Sequence, residues 1–175
     1  MRIVLYLFII LFFSCQIDKS LNPDILRKAD IPISSAIKIN SVHTDSGFVS
    51  SKLKSPKMLN FSNAPFPYFE FPEAIEVILF DKNKNQTKIV AEYAISYSNT
   101  DLIDLRGNVI VSNHLLDSLL TEQLYYDRSE EWLFTNFDFR YKSIDKDIYG
   151  TGFNSDKTFE KIQFLKVNGF VSLEE

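Results

Sequence analysis

From residue 47 onward, short apolar runs alternate with clusters of turn-forming residues, and within the runs apolar positions recur at the two-residue spacing of extended chain. Runs at 47–53, 74–80, 88–97, 107–112, 119–126, 131–135, 137–142 and 161–173 read as strands or strand pairs, and none sustains the period of a long helix. Alternation groups Val77 with Leu79, Val109 with Val111, and Phe137 with Phe139. Each pair is expected to face the interior or a groove, and a β-bulge would reverse any run that contains one. The runs at 75–80 and 88–97 carry apolar residues on both faces, unlike a sheet with one wet side.

Upstream the texture differs. Residues 16–46 are polar and irregular, interrupted by Asn22-Pro23 and Ile31-Pro32. They read as a tether, with room for one or two helical turns at 21–29 before Pro32 stops anything longer. Residues 3–13 form an unbroken apolar run behind Met1 and Arg2. A bilayer-crossing helix needs roughly 20 residues, so this run fits the apolar part of a signal peptide. The expected organisation is a signal peptide at 1–14, a lipid-anchored tether at 15–46 and one β-domain at 47–175.

The strands carry a loose repeat of about 30 residues, a unit too short to close its own core. Ala91-Glu92-Tyr93-Ala94 with Gly107-Asn108-Val109-Ile110-Val111 is echoed by Thr121-Glu122-Gln123-Leu124 with Thr135-Asn136-Phe137-Asp138-Phe139. A third copy pairs Gly152-Phe153-Asn154-Ser155 with Asn168-Gly169-Phe170-Val171. Stacking such copies gives a stack or a folded-over pair of sheets.

Composition sharpens this picture. The chain has 16 Phe and 8 Tyr against 5 Gly, which favours β structure. A single cysteine excludes an internal disulfide, so an exported domain of this kind relies on sheet hydrogen bonds and apolar burial. That cysteine is Cys15, and Leu11-Phe12-Phe13-Ser14-Cys15 resembles the bacterial lipobox, with Phe12 where Leu is usual. On that reading the thiol takes a diacylglycerol and becomes the new N-terminus, and two or three acyl chains then hold the protein on a membrane. The other readings are an ordinary secretory signal with an incidental cysteine, or a short anchor helix. Net charge is −4 with no block of Lys and Arg, so nucleic-acid binding has no electrostatic footprint.

Little in the chain suits an enzyme. His43 and His114 are the only imidazoles, and no nucleophile elbow, metalloprotease helix or phosphate-binding loop occurs. The acidic pairs Glu130-Glu131, Asp145/Asp147 and Glu174-Glu175 read as solvated surface. Asp81, Asn83, Asn85 and Glu92 imitate a calcium loop, but Gln86 stands where that loop needs Gly, and a polar hairpin turn explains the segment more simply. No cofactor or metal is expected. Pro65-Phe66-Pro67-Tyr68-Phe69-Glu70-Phe71-Pro72 interleaves aromatics with prolines, which places it at a sheet edge or in a connection whose aromatics cap the core.

Several segments in order resemble the LptC family, the periplasmic component of the lipopolysaccharide export transporter, in the lipoprotein-like form seen in Bacteroidetes. They are Pro67-Tyr68, Glu70-Phe71-Pro72-Glu73-Ala74-Ile75-Glu76-Val77, Phe80-Asp81, Ala91-Glu92-Tyr93-Ala94 and Asp101-Leu102. Arg106-Gly107-Asn108-Val109, Thr121-Glu122, Tyr126-Asp127 and Tyr149-Gly150 with Gly152-Phe153 continue the series to about residue 172. Ala74 stands where these relatives usually carry Gly.

The resemblance implies an all-β fold, an open β-jellyroll of two facing antiparallel sheets of the LptA-like kind. It implies a non-catalytic protein at the inner membrane that takes lipopolysaccharide from an ABC transporter into an apolar groove and passes it to a periplasmic LptA-like jellyroll bridge. Val77, Leu79, Val109, Val111, Phe137 and Phe139 would line that groove. Unpaired edge strands would serve the partners: Val49 and Leu53 near the start for the transporter, Phe164 and Val171 at the C-terminal edge for the bridge. The other functional class is a lipoprotein β-sandwich that binds glycans or acts as a scaffold, with Tyr68 and Phe69 turned outward over a filled interior.

Overall fold

A computed structural model of the chain describes residues 31–169, and all structural statements concern these. They form eleven antiparallel strands: β1 (Ser34–Asp45), β2 (Phe48–Phe61), β3 (Tyr68–Phe71), β4 (Ile75–Phe80), β5 (Gln86–Ala91), β6 (Tyr93–Tyr97), β7 (Leu102–Ser112), β8 (Ser118–Asp127), β9 (Trp132–Lys142), β10 (Asp147–Asp156) and β11 (Ile162–Val167). Two of these long strands serve two neighbours each. Residues 51–54 of β2 pair with β4 and residues 59–61 with β3. Likewise residues 103–106 of β7 pair with β6, and 110–112 with β5. The path β7-β5-β4-β2-β3-β6 therefore returns to β7 and closes a six-stranded ring, while β8, β9, β10 and β11 extend the sheet from β7 in one direction.

Each long strand bends where it passes from one layer to the other. On β7 and β9 the bends are 2:1 bulges: Gly107 and Asn108 on β7 face Glu122 on β8, and Asn136 and Phe137 on β9 face Gly152 on β10. An extra residue kinks a strand and raises its twist. Positive φ values follow the same line, +63° at Ala74, +75° at Gly107, +46° at Asn108 and +81° at Gly152. At Gly107 a side chain is also excluded by space, because a Cβ there would lie 2.7 Å from the Glu92 carboxylate. Backbone bonds stitch the corner, with Ala74 N–H donating to the Glu92 carbonyl at 2.7 Å and Glu92 N–H to the Gly107 carbonyl at 3.1 Å. The side-chain amide of Asn108 adds a bond to the Glu92 carboxylate at 2.6 Å. The result is one sheet folded along a single line into two facing layers, the jellyroll expected. The faint sequence repeat is the recurrence of this corner from hairpin to hairpin.

The core lies between the layers. Val77, Ile89, Leu105, Val109, Val111, Leu119, Leu124, Leu133 and Phe153 belong to one continuous buried cluster. Toward the C-terminal end it becomes aromatic: Phe139 stacks on Phe164 at 5.5 Å, and Tyr141 on Phe153 at 6.2 Å.

Several elements depart from the sequence reading. β1 lies inside the span assigned to the tether, because its alternation is of Ile with Ser, Asn and His, and most of the strand is solvent-exposed. The run at 88–97 is two strands divided at Glu92, and the runs at 131–135 and 137–142 are one strand across a bulge. β3 sits inside the proline-rich stretch and joins β2 to β6. β10 falls outside the runs read as strands and is anticipated only by the third copy of the repeat at 152–155, since Gly150, Thr151 and Gly152 dilute its apolar pattern.

Candidate functional site

The space between the layers is packed along much of its length and opens where β2 and β4 face β7 and β8. A cavity of about 450 Å³ is lined by Leu53, Val77 and Leu79 from the first layer and by Ile103 and Tyr126 from the second, with His43, Asp101, Arg128 and Glu131 among the polar residues at its rim. That volume is within the roughly 300–1,000 Å³ typical of small-molecule sites. The apolar walls follow from period-two alternation, since Val77 and Leu79 are the inward positions of β4, and Ile103 alternates with Asp104 on β7. Burial raises the Tyr126 phenol well above its ordinary value, so the hydroxyl stays neutral in an apolar wall. At the rim the Arg128 guanidinium donates to the Asp101 carboxylate at 2.9 Å. The buried part of the lining is therefore uncharged and, apart from the Ser96 hydroxyl, made of apolar residues and the Tyr126 phenol, whereas the charged residues are exposed. A larger hollow of about 660 Å³, lined by Lys38, Lys54, Pro56, Glu76 and Val90 among others, is a shallow trough following the corner. Shallow and lying outside the two facing layers, it is the weaker candidate for enclosing a ligand.

A family model described as "Lipopolysaccharide-assembly, LptC-related" matches residues 1–170. The chain belongs to the LptC family. No curated protein matches it. Members of the LptC family act in lipopolysaccharide transport as periplasmic, inner-membrane-associated components, and a cavity whose buried lining is uncharged and mostly apolar lies between the two β-layers of this LptC-family fold.

Within that frame the groove residues fall into three groups. Val77 and Leu79 belong to the buried core and also line the cavity. Val109, Val111 and Phe139 face inward in the same core without lining the cavity. Phe137 corrects the alternation reading: it is 48% exposed, because the extra residue at the β9 bulge turns it outward while Phe139 points in. The repeat misled here, since it aligns Phe137 with Val109, whereas strand register joins Val109 to Phe139 through Thr121.

The partner edges also shift. β2 is covered by β1 over its length, so Val49 and Leu53 are not on a free edge; Val49 lies near the hairpin tip and Leu53 lines the cavity. Among the described residues β1 pairs only with β2 and β11 only with β10. Phe164 is on that terminal strand with its ring turned into the core, against Phe139 and Phe153. Cys15 and Val171 lie outside the described residues.

Ile103, Tyr126 and Arg128 were missed, although their alternation with Asp104 and Asp127 carried the signal. Tyr68 stacks on the buried Phe61 at 4.6 Å and Phe69 packs against the core, so neither forms the outward platform a glycan-binding sandwich needs. The Asp81 carboxylate accepts the backbone N–H of Asn83 and of Asn85, both at 2.8 Å, within a hairpin turn. Burial alone would raise its pKa; these bonds and the Asn85 side chain more than offset that and hold it below the ordinary value.

Proposed function

We propose that this protein carries lipopolysaccharide with its acyl chains in the cavity between Val77, Leu79, Ile103 and Tyr126, receiving it from an inner-membrane ABC transporter and passing it to a periplasmic LptA-like bridge. The observation that carries the reading is the cavity itself, whose buried lining is uncharged and mostly apolar while its charged residues are exposed. An acyl chain moving from bilayer to such a lining exchanges one apolar environment for another, whereas exposure to water costs roughly 0.8 kcal/mol per methylene. The cavity thus lowers a barrier without supplying drive, and ATP hydrolysis belongs to the partners. The single-partner strands β1 and β11 support docking by strand addition at either end. A diacylglycerol on Cys15 and a short tether to β1 would hold the domain at the inner membrane.

The test is a photoreactive benzoylphenylalanine placed at Val77, at Leu79 or at the outward Phe137 in cells. Capture of lipopolysaccharide from 77 and 79 and not from 137 is expected. Capture from 137 alone, or from none, overturns the reading.

A further inference from the structure

The lips of the interlayer space are the turns that end the strands, and they meet at one point. Asn113, in the turn after β7, donates its side-chain amide to the Thr158 carbonyl in the β10–β11 turn at 3.3 Å. Asn113 is itself held, its side-chain oxygen accepting the backbone N–H of Leu115 and of Asp117 at 2.9 Å each. On the other side, Lys157 N–H donates to the Glu131 carbonyl at 3.1 Å, and the two side chains pair as ions. The β10–β11 turn is thereby tied to both layers.

Between those ties Phe159 folds inward. It is 7% exposed, whereas Leu116 and Ile144 at comparable turn tips are 87% and 98% exposed. Its ring meets Tyr141 and Phe153 edge-on, at 5.9 Å in each case. Its φ is +65°, a region that is strained for a bulky residue and is held only by the surrounding packing. A strained backbone, one neutral bond across the lips and an aromatic wedge together describe an element that can swing out as a unit.

We propose that the β10–β11 turn is a latch with Phe159 as its plug, closing the interlayer space between the open cavity and the aromatic compartment under β9, β10 and β11. Release of the Asn113–Thr158 bond lets Phe159 leave and extends the cavity toward β11. The inference rests on the reading that acyl chains occupy the cavity, and it adds a gated direction of travel.

The test uses the full chain, purified lipopolysaccharide and benzoylphenylalanine at Val77 on the open side or at Phe164 on the closed side. Labelling from 77 is expected to exceed labelling from 164 in the unvaried protein. Asn113→Ala and Phe159→Leu should each raise labelling from 164 several-fold and leave 77 unchanged. Equal labelling at both positions without either substitution, or no response at 164, overturns the latch. Absence of labelling at both positions in every variant defeats the lipid reading instead, and the latch is then decided by hydrogen exchange of the lipid-free protein. Asn113→Ala should speed exchange at the Lys157 and Phe159 amides by about ten-fold while Val109 is unaffected; unchanged exchange sinks it.

Discussion

Ser55 and Ala74 are bonded across the corner of the sheet: the Ser55 hydroxyl donates to the Ala74 carbonyl at 2.8 Å, and Ala74 holds φ at +63°. The left-handed region costs an L-residue with a Cβ roughly 1–2 kcal/mol, and glycine nothing. Glycine also adds unfolded-state entropy, which takes back about 0.4–1 kcal/mol. Ala74→Gly is therefore expected to stabilise the protein by about 0.5–1 kcal/mol, seen as a higher urea midpoint at unchanged slope. Ala74→Val should act in the opposite direction, because a β-branched residue fits this conformation worst.

The two phenylalanines of the β9 bulge region and its partner strand should respond very differently to truncation. Phe153 is fully buried and contacts Phe139, Tyr141, Phe159 and Phe164. Phe153→Ala is expected to cost about 3–5 kcal/mol, the usual range for a buried ring. Phe137→Ala, at an exposed position, should stay within about 0.5 kcal/mol. Equal losses in chemical denaturation would mean that the bulge assignment is wrong.

Asp104 is a carboxylate almost sealed from solvent on the outer side of β7, at 1% exposure. It accepts bonds from Arg106 Nε at 3.0 Å and from Gln123 Nε2 at 2.7 Å. Removing the guanidinium leaves a buried charge with one neutral donor, so Arg106→Ala should cost about 2–3 kcal/mol. Arg106→Lys keeps the charge but not the two-pronged geometry, and should recover only part of that loss. A double-mutant cycle with Asp104→Asn measures the coupling directly.

Stability should fall at both ends of the pH scale, for opposite reasons. Burial first, and then the neighbouring Asp117, push the Tyr141 hydroxyl up to about 12. The fold thus holds a proton that the unfolded chain releases near its ordinary value of 10.0. The contribution is complete below pH 10 and is lost as pH rises from there toward 12. Conversely, the bond from Lys88 lowers Glu76 below its ordinary 4.5, so its small surface contribution is present above that value and disappears as pH falls beneath it. Thermal midpoints recorded across pH should be flat near neutrality, decline slightly in acid and decline more in alkali. Tyr141→Phe should soften the alkaline limb.

The all-β class, most strand positions and the inward facing of Val77, Leu79, Val109 and Val111 were legible because buried strands alternate and their turns are marked by polar residues. Where the period fails, so does legibility. On β9 the inward positions Leu133, Thr135, Phe139 and Tyr141 keep one parity, and only Phe137, itself inside the two-for-one bulge, is turned out, which is why it reads as inward from sequence. β1 buries little, so selection for apolar residues leaves no trace in it, and β10 hides behind the glycines that its corner and its close packing on β11 require. The cavity was foreseen as a groove of six residues on three strands, but which part of an apolar interior stays empty depends on side-chain volumes meeting across the layers. The large rings of Tyr141, Phe153, Phe159 and Phe164 fill one end, and the smaller Leu53, Val77 and Ile103 leave the other open. Such pairings are set by register between distant strands, which local alternation does not encode.

The ring β7-β5-β4-β2-β3-β6 makes the molecule mechanically uneven. A sheet closed on itself cannot splay without breaking a hydrogen-bonded seam, whereas β8, β9, β10 and β11 hang from it as a cantilever whose last strand, among the described residues, pairs on one side only. Strain introduced by a load between the layers is therefore relieved at that last strand, and the collar behind it keeps its bore.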